Sequence, residues 1–274
     1  MNNNRNQLIQ DHALEVMPDA ESILMEDRLW WVRGRKAIIR EYMESARQRS
    51  EISTIMDIGC GSGGNLDVLK EFGRVIGVEP SETLANRARG RGVAEAIFQQ
   101  DVLELDDCCN MDIFTMFDVL EHIKADKSFL SRLRNKADQR HYLLVSVPAC
   151  QFLYGDHDRI LHHHRRYTPN SLRSTLTESG YKVLQMNYFM FFLFPFALFV
   201  RMKDKLKAKL GNKITSVEVG DLPPILSALF VTTLKFEAFL SRYVRFPIGL
   251  WLFALAESND QCKPLNKPGR TITE

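Results

Sequence analysis

An aspartate and a group of glycines follow a short apolar run and form the stretch of the chain best suited to chemistry. The apolar residues of 52–58 are typical of a strand that is buried on both faces. A helical pattern begins after Asn65, and the turn between the two contains Gly59, Gly61, Gly63 and Gly64. Glycine lets a ligand approach the backbone, and a helix N-terminus offers free N–H groups. The pattern therefore predicts a nucleotide-binding turn.

The position of Asp57 separates two classes of ligand for this turn. Gly59, Gly61 and Gly64 also fit the G-x-G-x-x-G spacing that places a pyrophosphate on a helix N-terminus. A carboxylate two positions before the first glycine would repel pyrophosphate, and it suits a cationic group such as the amino end of a methionine-derived ligand. A glycine-rich turn that binds no ligand is the alternative.

Further acids follow the next predicted strands. Glu79 ends the strand predicted over 74–79, about 20 residues after the first strand, where nucleotide-binding α/β folds place an acid that binds the ribose hydroxyls. Asp101 ends the strand predicted over 96–101. Asp118 lies in the run 111–120, which is apolar enough to be a central strand. The carboxyl ends of parallel strands share one edge of a sheet, so we expect these acids to lie near one another.

Two stretches resemble motifs of a known family. The segment D-I-G-C-G-S-G at 57–63 resembles motif I of the class I S-adenosylmethionine (SAM)-dependent methyltransferases, and F-D-V-L-E-H-I at 117–123 resembles their motif IV. The resemblance implies an α/β fold with a Rossmann-like seven-stranded sheet, mostly parallel with an antiparallel last strand, and helices on both faces. It also implies SAM as cofactor, with Asp101 beside the adenine amino group. The residues expected to hold SAM are Asp57, Gly59, Cys60, Gly61, Gly63, Asn65, Glu79, Pro80, Asp101, Val102 and Asp118.

An amphipathic helical pattern over 25–50 precedes the first strand. Its stretch W-W-V-R-G-R, beginning at Trp30, resembles the W-x-x-R-R helix of one bacterial methyltransferase group. Two adjacent tryptophans cannot share one helix face, so one of them is expected to face a cleft. We therefore predict that Trp31 and Arg33 contact the acceptor, with simple packing of an amphipathic helix as the alternative.

Three successive histidines, His162 to His164, lie in the loop of residues 151–169. Side chains on one continuous segment diverge, and no carboxylate or cysteine accompanies them at a zinc-type spacing, so no metal site is predicted. The pattern H-D-x-x-x-x-H-x-R-R-Y, from His157 to Tyr167, instead resembles a loop found after strand five in a group of bacterial methyltransferases.

This loop is expected to face the acceptor. A histidine–aspartate pair can orient a base, and two arginines can bind a phosphate or carboxylate. The alternative is a structural brace, in which the arginines pair with Asp158 and Glu121 and Tyr167 packs as a lid. The predicted catalytic residues are His157, His163 and Tyr167. The residues predicted to bind the acceptor are Trp31, Arg33, His122, Asp158, Arg165 and Arg166, with support of its own loop as the alternative role of His122.

An apolar insertion separates the strand predicted over 181–188 from the last strand, predicted over 248–257. It opens with twelve uncharged residues, F-M-F-F-L-F-P-F-A-L-F-V, and a lysine-rich stretch follows. Twelve residues are too few to span a bilayer, but aromatic residues beside lysines are typical of an interfacial segment. We predict that residues 189–213 contact the inner membrane leaflet. The alternative is a helical lid packed against the sheet or a second subunit.

Composition narrows the class of protein. The net charge of +2 does not favour a nucleic-acid partner. Five cysteines without a C-x-x-C pair indicate a reducing compartment, and the polar first residues are unlike a signal peptide, so a cytoplasmic location is predicted. The predicted parts are an N-terminal helical segment at 1–50, a SAM-binding core at 51–188, the insertion at 189–246, the last strand at 247–258 and a tail at 259–274.

The sequence thus predicts transfer of the SAM methyl group, by in-line displacement, to a small or lipid-linked acceptor. Two alternatives come from other classes. One is a non-catalytic, membrane-associated scaffold or sensor that binds SAM, and the other is a nicotinamide oxidoreductase that uses the same glycine spacing. The oligomeric state is left open.

Overall fold

Seven strands form one sheet in the order β3-β2-β1-β4-β5-β7-β6. The structure is a computed structural model that describes residues 29–105, 110–137, 139–199 and 223–259. Only β7 runs against its neighbours, because it pairs antiparallel with both β5 and β6. The predicted seven-stranded Rossmann-like sheet is confirmed. Its strands are β1 Thr54–Ile58, β2 Arg74–Val78, β3 Ala96–Phe98, β4 Ile113–Phe117, β5 Tyr142–Pro148, β6 Tyr181–Phe189 and β7 Trp251–Ser258.

Helices cover both faces of this sheet. On one face α4 and α6 pack against side chains of the central strands, and on the other face α1, α2 and α7 do so. The central strands β4 and β5 are buried along their whole length, which explains why they read as continuous apolar runs. The helices are α1 Trp30–Arg47, α2 Leu66–Lys70, α3 Glu82–Gly90, α4 Asp126–Lys136, α5 Asp156–Ile160, α6 Pro169–Glu178 and α7 Pro224–Leu240.

Strand β4 ends earlier than the apolar pattern predicts. The run 111–120 was expected to be extended, but the strand closes at Phe117. Asp118 adopts a φ of 58°, and a short 3-10 turn, Leu120–His122, follows it. A positive φ cannot continue a strand, so the chain leaves the sheet and turns its next side chains towards the loop above.

The insertion packs on the N-terminal helix through a close approach of α1 and α7. A Cβ placed on Gly34 would lie 2.2 Å from Leu234 Cδ1, so only glycine fits at this point. The buried carboxylate of Glu237 accepts the backbone N–H groups of Phe191 and Phe192 at 2.9 and 3.1 Å, which fixes the start of the insertion. The lysine-rich part of the predicted membrane contact lies outside the described residues.

Candidate cofactor and acceptor site

The glycine turn after β1 leaves its backbone open to a ligand. Gly59, Gly61 and Gly63 have φ values of 68°, 57° and 85°, a region that other residues rarely adopt. A Cβ built on Gly61 would have no atom within 4 Å, so among the described residues no side chain fills the space next to this glycine. The Gly59 N–H donates to Val78 O at 2.7 Å, which ties the turn to the end of β2.

The carboxylate of Glu79 lies directly beside this turn. Its Oε2 accepts the Gly61 N–H and its Oε1 accepts the Ser81 N–H, both at 2.9 Å. Burial raises the pKa of Glu79, and the two hydrogen bonds oppose that rise. Each oxygen keeps a lone pair, so the carboxylate is held in place and can still accept hydrogen bonds from a diol.

Asp57 places a second buried carboxylate below the turn. It is 1% exposed and accepts the Thr115 hydroxyl at 2.7 Å. Burial raises the pKa of Asp57 to about 7, while the Thr115 hydrogen bond and the Arg35 charge act in the opposite direction. A cation near this carboxylate would favour the ionised form.

Asp118 is held by three groups from three elements. Its Oδ2 lies 2.6 Å from Arg35 Nη1, and its Oδ1 accepts the Trp251 indole N–H at 2.8 Å and the Ser146 hydroxyl at 3.2 Å. The sequence had pointed to Arg33, but Arg33 is exposed on the opposite side of α1. Arg35 lies one helical turn after Trp31, and its guanidinium carbon is 5.3 Å from the centre of the Trp31 ring.

The other residues expected to hold the cofactor are spread around this edge. Asp101 caps the 3-10 turn Val102–Glu104, and Val102 is buried. Asn65 is buried, and its Oδ1 has no hydrogen-bond partner among the described residues. Cys60 is also buried, whereas Pro80 is exposed.

The predicted histidine–aspartate pair is formed by His163 and Asp158. His163 Nδ1 lies 3.0 Å from Asp158 Oδ1, which also accepts Arg166 Nε at 2.8 Å. Burial alone would raise the pKa of Asp158, but the hydrogen bond with His163 and the charge of Arg166 lower it. The side chain of His157 lies outside the described part of the chain.

The end of the loop is arranged as a brace. The Tyr167 hydroxyl donates to Asp126 Oδ2 at 2.8 Å, and Arg165 Nη1 lies 2.8 Å from the same oxygen. Tyr167 is 1% exposed, and burial together with the Asp126 hydrogen bond raises its pKa. Arg166 is likewise buried and also donates to Ala149 O. The contact of Arg166 with Asp158 and the burial of Tyr167 fit the structural alternative, whereas Arg165 pairs with Asp126 instead of Glu121. The acceptor contacts of Arg165 and Arg166 and the catalytic role of Tyr167 stay predictions.

His122 and Glu121 follow β4 and meet the loop from the other side. The rings of His122 and His163 lie 4.7 Å apart at 82°, whereas His162 and His164 are exposed. Burial and the neighbouring His163 lower the pKa of His122 to about 4. Burial and the Asp118 charge hold the pKa of Glu121 well above its ordinary value. Arg35, Trp251 and Glu121 were not predicted as site residues.

The strand order, the glycine turn and the acids at the strand ends define a Rossmann-like methyltransferase fold. The family model described as "Methyltransferase domain" matches residues 30–186, more than half of the chain. The chain therefore belongs to this methyltransferase family.

Two similar solved structures extend over nearly the whole chain. The plantazolicin methyltransferase BpumL, in complex with a monoazolic desmethylPZN analog and SAH, has a TM-score of 0.56 at 13% identity and covers 92% of this chain and 94% of its own. A putative methyltransferase in complex with the Haloferax volcanii Trm112 methyltransferase activator has a TM-score of 0.52 at 16% identity and covers 91% and 97%. At these identities the likeness shows the fold alone. No curated protein matches the chain.

Proposed function

We propose that this protein is a SAM-dependent methyltransferase that methylates a small or lipid-linked acceptor. The observation that carries the proposal is the pair of buried carboxylates, Asp57 and Glu79, on either side of an open glycine turn. An acid below the turn suits the ammonium group of SAM, and an acid after β2 suits its ribose hydroxyls.

The donors and acceptors present fit this cofactor. Asp57 would meet the amino group, Glu79 the ribose, and Asp101 with Val102 the adenine. The buried Asn65 Oδ1, which lacks a partner among the described residues, is available for a further hydrogen bond. When bound, SAM supplies a methyl group on a sulfonium, which is transferred to a nucleophile by in-line displacement.

The contribution of the chain is mainly positioning, which lowers the barrier by fixing the reacting groups in advance. Arg35, Asp118 and Trp251 form a connected group of side chains that joins α1, the end of β4 and the start of β7. They would fix one wall of the acceptor pocket, with Trp31 stacked beside Arg35. The catalytic roles predicted for His157 and His163 stay predictions.

A membrane-bound acceptor is supported by the surface of the insertion. Phe196, Phe199, Ile225 and Phe236 are 53%, 67%, 87% and 54% exposed, which is unusual for such large apolar side chains on one insertion. Among the described residues, no helix is both long and apolar enough to cross a membrane. We therefore propose that the insertion rests on the cytoplasmic face of the inner membrane and faces a lipid-linked acceptor.

Liposome sedimentation tests the membrane contact. Phe199→Ser combined with Ile225→Ser removes two exposed apolar side chains, and we expect it to reduce binding to anionic vesicles, because the buried apolar area supplies part of the affinity. Ile160→Ser is the matched control, since Ile160 is 61% exposed but lies outside the insertion. Equal sedimentation of all three proteins would reject the membrane contact and leave the methyltransferase proposal standing.

Methyl transfer is tested with isotope-labelled SAM. The purified protein is incubated with lipid extracts of a strain that lacks its gene, and labelled products are separated by mass spectrometry. The proposal predicts a product that carries the labelled methyl group and has one CH₂ unit more than its precursor; a lipid-linked acceptor would give this product in the lipid fraction. Binding of SAM without transfer to any fraction would instead favour a scaffold or sensor.

A further inference from the structure

Three side chains from two separate segments converge beside the end of β4. Glu121 and His122 come from the turn after the strand, and His163 comes from the loop after β5. One ligand atom of each lies within 4.8 Å of the other two. His163 Nε2 is 3.9 Å from Glu121 Oε1, which is too long for a hydrogen bond between them.

The carboxylate of Glu121 lies buried without a hydrogen-bond partner among the residues that the structure describes. Glu121 is 0% exposed, and neither side-chain oxygen accepts a hydrogen bond from any described residue. Burial of an unpaired carboxyl group costs several kcal/mol by ordinary solvation arguments, so native proteins normally pair such a group. Its environment is therefore incomplete without a further atom.

His163 is held in the orientation of a metal ligand. Its Nδ1 faces Asp158 Oδ1 at 3.0 Å, and Asp158 is itself fixed by Arg166 Nε at 2.8 Å and by the Gly155 N–H at 3.0 Å. A carboxylate partner on Nδ1 selects the tautomer whose lone pair is on Nε2, the atom that points to Glu121. Histidines that ligate metals are commonly oriented by a carboxylate in this way.

We propose that Glu121, His122 and His163 bind one divalent first-row transition ion. Two imidazoles and one carboxylate form a ligand set that such ions accept, and it leaves a coordination position open. Ligand atoms around a tetrahedral ion of this kind lie about 3.3 Å apart, so small side-chain rotations would close the present spacing. Asp158 and Arg166 are positioning residues for His163.

The proposed site is not formed by the run of three histidines, for which the sequence predicted no metal site. His162 and His164 are exposed, and only His163 turns towards Glu121 and His122. Glu121 and His163 are 42 residues apart in the chain. The run of adjacent histidines therefore could not indicate that these two residues lie close together.

Metal uptake by the full chain tests the proposal directly. The protein is stripped with a chelator, dialysed, and titrated with Zn²⁺ and with Co²⁺ in the absence of SAM. We expect one ion per chain and a visible Co²⁺ absorption band of a low-coordinate site with nitrogen ligands. Because SAM is not present, the result does not depend on the proposed methyl transfer, and SAM binding by the stripped protein is measured separately.

Matched variants locate the ion. Glu121→Gln and His163→Gln keep the approximate shape of the site but each removes one proposed ligand. Loss of a residue that only orients a ligand, such as Asp158, typically weakens metal binding roughly 10- to 100-fold. We expect each of the two ligand variants to weaken Co²⁺ binding by more than that. Asp158→Asn should weaken binding within that range. His162→Ala and His164→Ala are the controls and should bind Co²⁺ as the wild type does.

Two results would overturn the proposal. The first is no uptake of either ion by correctly folded wild-type protein. The second is binding that survives Glu121→Gln and His163→Gln but is lost in the control variants, which would assign the ion to the exposed histidines. The wild-type spectrum remains informative if a variant fails to fold.

Discussion

Buried carboxylates dominate the chemistry at the scale of single residues. Asp57, Glu79 and Glu121 all lie at the carboxyl end of the sheet, and burial raises the pKa of each. Glu79 is held by two backbone amides, Asp57 accepts one hydroxyl, and Glu121 accepts no side-chain hydrogen bond from the described residues. A buried carboxylate that accepts fewer hydrogen bonds from the protein gains more free energy from a bound cation.

The affinity for SAM should depend on pH through Asp57. Burial raises the pKa of Asp57 to about 7, so below pH 7 the carboxylate that would contact the SAM ammonium group becomes protonated and neutral. We expect the affinity to fall more than about tenfold from roughly pH 7.5 to 5.5, where the amino group of SAM stays mostly charged. Calorimetry at a series of pH values measures this change.

The control for that series is Asp57→Asn. It should bind SAM weakly and with little pH dependence, because the titrating group is gone. The stability of the free protein should change in the opposite sense, since a carboxyl group with a raised pKa stabilises the fold at low pH and loses that contribution as the pH rises through about 7. A flat affinity in the wild type would contradict the role given to Asp57.

We expect Tyr167 to contribute to the free energy of unfolding through its buried hydroxyl group. Tyr167→Phe removes one buried hydrogen bond to Asp126, which keeps Arg165 as a partner. We expect a loss of about 0.5–1.5 kcal/mol in the free energy of unfolding, measured with urea, and an unchanged affinity for SAM. A wild-type stability combined with a large loss of turnover would instead support the catalytic role that the sequence suggested.

The close contact of α1 with α7 organises the molecule at the scale of elements. Trp30 packs edge-to-face on Phe230 at 5.1 Å, and Gly34 lies against Leu234. The same helix α1 presents Arg35 to Asp118. The insertion therefore supports the helix that we propose as one wall of the acceptor pocket, so a change in their packing should affect acceptor binding.

Gly34→Ala tests that contact. The new methyl group would lie 2.2 Å from Leu234 Cδ1, so the helices must separate, and we expect destabilisation of about 1–3 kcal/mol. Gly90→Ala is the matched control, because a Cβ there meets no atom within 4 Å and its φ is not positive. The control should be neutral or slightly stabilising in urea denaturation. Equal stability of both variants would show that the helices are not closely packed.

The sequence indicated the parts of the candidate site that are local in the chain, and it did not indicate the side-chain contacts that depend on the rotation of a helix or on long-range contact. The strand β1, the glycine turn and Glu79 lie on one continuous segment, so their spacing in the sequence was enough to predict that they lie together. Arg35, which contacts Asp118, was not predicted, although its i, i+4 relation to Trp31 was a usable signal. The role of Arg33 stays a prediction. Trp251 reaches Asp118 only through the sheet order, which no local pattern encodes. Glu121 lies within the F-D-V-L-E-H-I stretch, but its proximity to His163 depends on the fold of the loop after β5.

At the scale of the whole molecule, the proposed cofactor site and the core share the same strands. Asp57 belongs to β1, and Thr115, which donates to it, belongs to the neighbouring strand β4. Binding of a ligand at this edge should therefore stabilise the complete sheet. SAM at about a hundred times its Kd is expected to raise the free energy of unfolding by about 2.7 kcal/mol, measured by denaturation with and without SAM. NAD at the same concentration should leave it unchanged.

Titration calorimetry of the purified full chain with SAM, with S-adenosylhomocysteine and with NAD tests the central claim most directly. The account predicts one molecule of SAM or S-adenosylhomocysteine bound per chain, no heat with NAD, and a loss of SAM binding in Glu79→Ala. Uptake of NAD in place of SAM, or no uptake of either by folded protein, would contradict it.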